Sequence, residues 1–459
     1  MSMHIKNNMD SLRIQNILTA NTKKTQSQLE KIASGLKING AADDASGYAI
    51  SEGMRVQIRA LSQAEQNAQN GTSMMKVAEG AVSSTVDIIR TMKEKAINAA
   101  NDTNTDADRQ IIQKEFNQMI DQIDDNANVT YNGKYLIDGS KNNAVKATAT
   151  VFANNYLEEP NLQHPRKLID FKDAQGESLN IQKSDNITIS LVQDGKTYTK
   201  TYQVGDRTLG ELLTGIPGGF HDDIAKDGYK GGLSFIDSTE YYGYDGFDNK
   251  IKPPSGKKTT IITMEVQNLN DKPSHVEEAE AGLPFQLGGI TFSITDRDGK
   301  VKTSTNAKLN QFHEVLRAQN ASDDNALVLQ IGSKANQSIK VGLTDMRAHA
   351  LALRGSDGSY VSVSNQVHAN AAIEVLDNAL SKALDQQTTI GAIQSRLSYT
   401  IDNIVTARTN IQSAESVIRD ADMAKEMTSY TRENLLSQAA QSMLAQSNQQ
   451  SSNVLSLLQ

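Results

Sequence analysis

The carboxyl-terminal end of the chain constrains the fold most, because Ala392 to Gln459 contains neither Gly nor Pro. Without these helix breakers, and rich in Ala, Gln, Ser and Leu, the stretch predicts one continuous helix. Its apolar residues recur in steps of three and four: Ile390, Ile393, Leu397, Ile401, Ile404 and Ile411, then Leu436, Ala440, Met443, Val454 and Leu457. Polar Ser447 and Gln450 interrupt this stripe, which is typical of a coiled-coil seam. Such a helix needs a partner helix to bury its stripe.

The amino-terminal end supplies a matching helix, since residues 1–34 also lack Gly and Pro. Its heptad-like stripe consists of Ile5, Met9, Leu12, Leu29, Ala33 and Leu36, with Asn16, Thr19 and Gln26 between the two clusters. A buried large apolar side chain contributes about 1.5–3 kcal/mol, whereas ordering costs about 1–2 kcal/mol per residue. We therefore expect both ends to pair weakly, to be largely disordered in the monomer, and to fold when many copies bring their stripes together.

Composition excludes several functions. The net charge of −8 gives a nucleic-acid partner no electrostatic support, and the absence of Cys excludes disulfides, thiolate nucleophiles and Cys-ligated metals. No stretch is apolar for long enough to cross a bilayer, and the amino terminus has no apolar signal-peptide core. We expect no membrane insertion and, for a secreted chain, a route that reads no cleaved signal peptide.

Residues 41–140 read as helices that end in a hairpin. A helical pattern runs from Met54 to Asn70, and a second stretch of helical spacing accompanies Gly71 and Gly80 and the Gly- and Pro-free residues 81–132. Its apolar face is Ala78, Val82, Thr85, Ile89, Met92, Ala96 and Ala99. The polar run 101–106 predicts a capped loop before another helix, and Asn132-Gly133 predicts a tight hairpin turn.

The composition changes in the middle of the chain, where all seven prolines lie between Pro160 and Pro284. Alternating β-prone runs predict two strands within 187–204 around an Asp-Gly turn, and further strands at 259–266 and 289–301. Another hairpin is expected at 327–343, and the helical stripe resumes from Val367.

The expected fold is α+β and multidomain. Long antiparallel helices from both termini form a coiled-coil core and a helical body with β-hairpins, and a β-rich insertion occupies the centre. We divide the chain into a core helix (1–40), a helical body with hairpin (41–140), the insertion (141–322), a second part of the helical body (323–408) and a second core helix (409–459).

Long motifs near both ends resemble those of bacterial flagellins, the subunits of the flagellar filament. They are LEKIASGLKINGAADDASGYAISEGMR at 29–55, ARTNIQSAESVIRDAD at 407–422 and YTRENLLSQAAQSMLAQ at 430–446. Residues 329–346 also resemble the return from that family's variable region. The departures, Lys37 for Arg, Ser46 for Ala and Tyr48 for Leu, do not bear on the fold.

The resemblance implies an extracellular homopolymer whose terminal helices line the filament core and whose middle segment projects from the surface. It also implies export by the flagellar type III apparatus with an export chaperone, assembly under a cap, and contact with junction proteins. We expect the self-assembly contacts to come from Ile5, Met9, Leu12, Leu29, Leu36, Leu436, Met443, Val454 and Leu457. The alternatives are a hook–filament junction protein of the same family, and a flagellin with an enzymatic or adhesive insertion.

One segment is aligned with a family motif that a Toll-like receptor recognises. In IRTMKEKAIN, residues 89–98, the receptor-facing candidates are Arg90, Lys93 and Glu94. Thr91 replaces an Arg, Lys95 a Leu and Asn98 a Gln, and Lys does not reproduce the forked contacts of Arg. These departures predict weakened recognition, and an exposed helix face with ordinary salt pairs is the simpler interpretation.

Some flagellins carry a metallopeptidase in the insertion, and His313-Glu314 begins the zinc-peptidase pattern of two His four residues apart on a helix. Arg317 stands where the second His would lie, so the motif fails. We expect a helical solvated pair here, and no catalytic, cofactor or metal site in the chain.

Overall fold

The computed structural model describes residues 8–154, 157, 167–173, 175–213, 229–238, 243–244, 250–251, 259–268, 282–283 and 286–457. The chain divides into two compact units. The first comprises Met1–Gln69, Gln330–Ser338 and Ser398–Gln459, and the second comprises Asn70–Leu329 and Ile339–Leu397. Among the described residues, no helix combines the length and apolar character needed to cross a membrane.

Three helices begin the fold: α1 (Met9–Ser34), α2 (Ala45–Ala99) and α3 (Asp106–Ala127). The helix α2 is continuous through both Gly71 and Gly80. A Gly inside a helix costs about 1 kcal/mol relative to Ala, which is less than the stabilisation from one buried large side chain. At Gly71 the small residue has a packing role, since a Cβ there would lie 2.6 Å from Leu329 Cδ1.

The predicted capped loop and hairpin after α2 are confirmed. Thr105 and Asp108 form a reciprocal capping box at the start of α3. The strands β1 (Thr130–Tyr131) and β2 (Lys134–Tyr135) then flank Asn132 and Gly133, whose φ angles of 49° and 73° suit a two-residue hairpin turn.

The central region is β-rich, as predicted. Its strands are β3 (Val151–Asn154), β4 (Asn186–Gln193), β5 (Lys196–Gln203), β6 (Tyr229–Ser238), β7 (Gly243–Tyr244), β8 (Lys250–Ile251), β9 (Thr259–Asn268), β10 (Leu287–Thr295) and β11 (Phe312–Leu316). A 3₁₀ turn (Leu168–Asp170) and two short helices, α4 (Leu209–Leu213) and α5 (Thr303–Leu309), lie between them. The antiparallel sheets have the orders β10-β4-β5, β11-β3-β9-β6 and β7-β8. Phe292 of β10 and Phe312 of β11 share one apolar core, with ring centroids 5.7 Å apart.

The β4–β5 turn docks on a loop that follows the insertion. Asp194 Oδ1 accepts from the Ser356 backbone N–H at 2.6 Å, and its Oδ2 accepts from Ser356 Oγ at 2.7 Å. Gly195 has a φ of 72°, and a Cβ there would lie 2.7 Å from the Ser359 carbonyl oxygen. The hairpin tip therefore reaches the backbone of 355–359 only because residue 195 lacks a side chain.

The chain returns through the predicted hairpin, β12 (Leu327–Gln330) and β13 (Ser338–Val341), and then forms α6 (Gln366–Arg419) and α7 (Met423–Leu457). The prediction of one continuous helix from Ala392 to Gln459 was wrong, because residues 420–422 separate α6 from α7. Asp422 causes the restart of the helix: its Oδ1 accepts from the backbone N–H of Ala424 at 3.0 Å and of Lys425 at 3.2 Å.

Candidate assembly surface

The two terminal helices pack against each other, antiparallel, along a largely polar seam. Ser11 Oγ donates to Asn448 Oδ1 at 3.0 Å near one end of this pair. A row of buried or half-buried positions runs along α1 in alternating steps of three and four: Ser11, Ile14, Leu18, Asn21, Thr25, Gln28 and Ile32. The corresponding row of α7 is Glu433, Ser437, Ala440, Leu444 and Ser447. We call these two rows the internal seam.

The internal seam is a weak contact. It contains few large apolar side chains, and in the described part of the chain Gln28 Oε1 and Glu433 Oε2 are buried without a hydrogen-bond partner. An unsatisfied buried polar group costs about 1–3 kcal/mol. The helix pair of one chain therefore has little stabilisation of its own.

Five of the apolar residues predicted for self-assembly lie exposed on the same two helices, outside the internal seam. Met9 is 66% exposed, Leu12 49%, Leu29 51%, Leu436 47% and Met443 62%. We call these five residues the assembly surface. Leu36 is half-buried, whereas Ile5 and the side chains of Val454 and Leu457 lie outside the described residues. The sequence alone did not separate the two faces, because only Ala440 of the predicted carboxyl-terminal cluster belongs to the internal seam.

A shallow groove on α7 extends the exposed apolar face. Leu435, Leu436 and Ala439 line it together with Thr428, Thr431 and Arg432. Ile17 on α1 and Met423 and Met427 on α7 are further exposed apolar residues of the terminal helices. Clustered apolar exposure of this kind marks interaction surfaces rather than ordinary solvent-facing helix.

Both terminal helices are interrupted at the same place, where their backbones pair. The Lys37 N–H donates to the Arg419 carbonyl at 2.7 Å, and the Ala421 N–H donates to the Gly35 carbonyl at 3.0 Å. These bonds make an antiparallel bridge between Leu36 and Asp420. We call residues 35–37 and 419–421 the joint.

Comparison with known proteins identifies the family. The model described as bacterial flagellin N-terminal helical region matches residues 5–142, and the one described as bacterial flagellin C-terminal helical region matches 373–458. Flagellin from Clostridium tyrobutyricum is 33% identical to this chain over 96% of this chain and 97% of that protein. The chain belongs to the bacterial flagellin family.

Two solved structures are distant neighbours of this flagellin chain. FliC from Burkholderia pseudomallei is 18% identical with a TM-score of 0.25, and the match covers 71% of this chain and 99% of that chain. The flagellar junction protein FlgL from Legionella pneumophila is 15% identical with a TM-score of 0.30, covering 82% of this chain and 100% of that one.

The three candidate receptor-facing residues of this flagellin lie on α2. Arg90 Nη1 donates to Asp87 Oδ1 at 3.0 Å, and the Lys93 ammonium forms an ion pair with Asp377 of α6. Glu94 is exposed. Arg90 and Lys93 therefore form ion pairs within the chain, as is ordinary on a helix surface. The role of the three residues towards a receptor stays a prediction.

The prediction that His313 and Glu314 lie on a helix was wrong, because both belong to β11. Successive side chains of a strand point to opposite faces, so this pair cannot share one helical face. The cause is tertiary, since β11 pairs with β3 and buries Phe312 and Leu316. Burial raises the pKa of Glu314 to about 7, although Arg317 and Lys382 act in the opposite direction. Among the described residues, no group of three or more His, Cys, Asp or Glu is placed to hold a metal ion.

Proposed function

We propose that this chain is a structural subunit that polymerises into the bacterial flagellar filament, with α1 and α7 forming its coiled-coil core. The observation that carries this proposal is the contrast between the two faces of the terminal helices. Their internal seam is largely polar and carries unsatisfied groups, whereas Met9, Leu12, Leu29, Leu436 and Met443 are exposed in a single chain. Neighbouring copies supply the contacts that bury the assembly surface. Membership of the flagellin family supports the same conclusion.

The mechanism is a transition from weakly ordered to fully helical ends. Ordering the backbone costs about 1–2 kcal/mol per residue, and the internal seam offsets only part of it. Each large side chain that a neighbouring copy covers contributes about 1.5–3 kcal/mol. Assembly and helix formation are therefore one coupled event, and the elongating end of a filament is where both occur. Small shifts in the packing of the same helices would switch the filament between supercoil forms.

The partners and location follow from this role. The chain is exported unfolded by the type III apparatus with its chaperone, assembles beneath the cap, and meets the junction proteins at the base of an extracellular filament. The insertion is surface-exposed in this proposal, residues 1–40 and 409–459 form the core, and residues 41–140 and 323–408 form the helical body. The chain has no enzymatic role. Recognition by a Toll-like receptor is weakened, because residues 89–98 depart from the recognised motif, and Arg90 and Lys93 also form ion pairs within the chain.

The test is seeded polymerisation of purified protein, followed by negative-stain electron microscopy and circular dichroism. Long uniform filaments with a gain of helix are expected. Leu436→Asp places a charge on the assembly surface and should leave soluble monomer without filaments. Val301→Asp is the matched control, because Val301 is 49% exposed and Leu436 is 47% exposed, but Val301 follows the β10 strand of the insertion. This control should elongate seeds normally.

Two outcomes would contradict the proposal. Normal filaments from Leu436→Asp would show that the assembly surface is wrongly assigned. A wild-type chain that stays monomeric beside competent seeds would favour the junction-protein alternative, or a subunit that requires a second flagellin.

A further inference from the structure

The methionines of this chain divide into two classes. Among the residues whose side chains the structure describes, the strongly exposed ones are Met9, Met423, Met427 and Met443, and all of these lie on α1 or α7. The methionines of the body include four buried ones: Met74, Met75, Met92 and Met346. Among the methionines whose burial the structure describes, the strongly exposed ones therefore all lie on the helices that carry the assembly surface, whereas Met54 and Met119 on other helices are only partly exposed.

A thioether reacts with a hydroperoxide without any catalyst. The sulfur attacks one peroxide oxygen, an S–O bond forms and the O–O bond breaks, and the other oxygen leaves as water or an alcohol after taking up a proton. The sulfur loses two electrons and the peroxide gains them. The product, methionine sulfoxide, is polar and accepts hydrogen bonds, and sulfoxide reductases convert it back to the thioether.

We infer that Met9 and Met443 are a reversible oxidation site at which a hydroperoxide controls polymerisation of the unassembled chain. The inference rests on the proposed function, because it requires neighbouring copies to bury these two side chains. A sulfoxide in that contact would bring a polar group into an apolar environment without a partner. Each oxidised subunit brings the defect into the contacts it makes at the growing end, so the effect on elongation grows with the oxidised fraction of the monomer.

Three features direct the reaction to these positions. Met9 and Met443 are the most exposed methionines described, at 66% and 62%. The chain contains no Cys, so no thiolate competes for the oxidant. If the terminal helices are disordered in the monomer, both sulfurs are more accessible still, whereas polymerisation covers them. Oxidation therefore acts before assembly, and an existing filament is protected.

The experiment treats monomer with hydrogen peroxide at the lowest dose that oxidises Met9 and Met443 while Met75 remains reduced, as measured by peptide mass spectrometry. Seeded elongation then gives the critical concentration. We expect it to rise by about tenfold, the factor that corresponds to about 1.4 kcal/mol per added subunit. Methionine sulfoxide reductases should restore the original value. In filaments, the oxidation rates of Met9 and Met443 should fall well below those in monomer.

The decisive variant is Met9→Leu with Met443→Leu, which keeps both positions apolar and removes both sulfurs. Its own critical concentration before treatment is the reference, whether or not it equals that of wild type, and peroxide should leave that value unchanged. Met75→Leu, a buried matched control, should stay as sensitive as wild type. The inference is overturned if the double variant remains sensitive, if oxidised wild type elongates normally, or if reductase treatment restores nothing. Untreated wild type that fails to elongate would instead overturn the proposed function, and this inference with it.

Discussion

Arg419, the last residue of α6, donates a hydrogen bond from its guanidinium Nη1 to Glu52 Oε1 of α2 at 2.5 Å. The same guanidinium lies over the Tyr48 ring, with Cζ 5.4 Å from the centroid, and its side chain is buried. The backbone carbonyl of Arg419 accepts from Lys37. One residue thereby ties the joint to the beginning of α2, because a planar guanidinium can stack and hydrogen bond at once.

The Arg419–Glu52 contact predicts a pH dependence. The hydrogen bond from Arg419, with a smaller contribution from Arg55, lowers the pKa of Glu52 below its ordinary value of 4.5. A lowered pKa in the folded state stabilises the fold at pH above 4.5, and this stabilisation is lost as the pH falls through the lowered value. Glu52→Gln should therefore flatten the acid side of the unfolding profile followed by circular dichroism. Glu30→Gln, on exposed α1 surface, should keep the wild-type profile, and superimposable Glu52→Gln and wild-type profiles would contradict the assignment.

Because Asp422 caps the amino-terminal end of α7, substitution of Asp422 should destabilise the first turn of that helix. Removal of an N-cap side chain costs about 0.5–2 kcal/mol of helix stability. The backbone N–H groups of Ala424 and Lys425 donate hydrogen bonds to Asp422 Oδ1. Asp422→Ala removes this acceptor and should therefore accelerate hydrogen exchange at these two amides. Asp422→Asn retains an acceptor at the same position and should behave as wild type. Equal exchange in Asp422→Ala and Asp422→Asn would show that the cap does not begin the helix.

The docked β4–β5 turn predicts a large effect at Gly195. Gly195→Ala would place a Cβ against the backbone of Gly355 and Ser359, at a φ of 72° that Ala rarely adopts. Overpacking costs about 1–3 kcal/mol and the left-handed conformation about 1–2 kcal/mol more. Denaturant unfolding should show this loss of stability.

Gly133→Ala is the matched control for that experiment. Its φ is 73°, but nothing lies within 4 Å of a Cβ there, so it should show the conformational cost alone. Equal losses from the two substitutions would mean that the close approach to the 355–359 loop contributes nothing.

The buried carboxyl of Glu314 predicts an opposite pH dependence. Burial raises its pKa from 4.5 to about 7, so the folded chain holds this proton more tightly than the unfolded chain. Stability is therefore greatest below pH 4.5 and falls as the pH rises towards 7, by about 3 kcal/mol at 1.36 kcal/mol per pKa unit. Glu314→Gln should be more stable than wild type at pH 8 and similar to it at pH 4. Exposed Glu94→Gln should change neither value, and a Glu314→Gln variant without a gain at pH 8 would sink the prediction.

Local signals in the sequence predicted much of the fold. Asn132-Gly133 and Asp194-Gly195 both form the turns of hairpins, with positive φ angles at all four residues, because few other residue pairs adopt that backbone. The face from Ala78 to Ala99 is buried, because seven small and apolar residues at helical spacing leave only one side of α2 to pack.

Contacts distant in sequence account for the errors. The carboxyl-terminal helix is interrupted at Asp420 although no Gly or Pro is present there. The cause is distant in sequence, because the backbone of residues 419–421 pairs with residues 35–37 near the amino terminus. The sequence around His313 is interpreted as helical, but His313 lies in a strand because β11 forms backbone hydrogen bonds with β3. The internal seam escaped prediction because the predicted apolar residues lie mainly on the face that one chain leaves exposed, whereas seven of the twelve seam positions are polar.

The joint has a mechanical consequence. A single helix that crosses a flexible turn transmits torsion poorly, since the turn absorbs the rotation. In the joint, the segments 35–37 and 419–421 are held together as one two-stranded ribbon by the Lys37–Arg419 and Ala421–Gly35 hydrogen bonds. Rotation of one segment of the joint therefore rotates the other segment too. As a result, α1 and α7 respond to a twisting load together rather than independently.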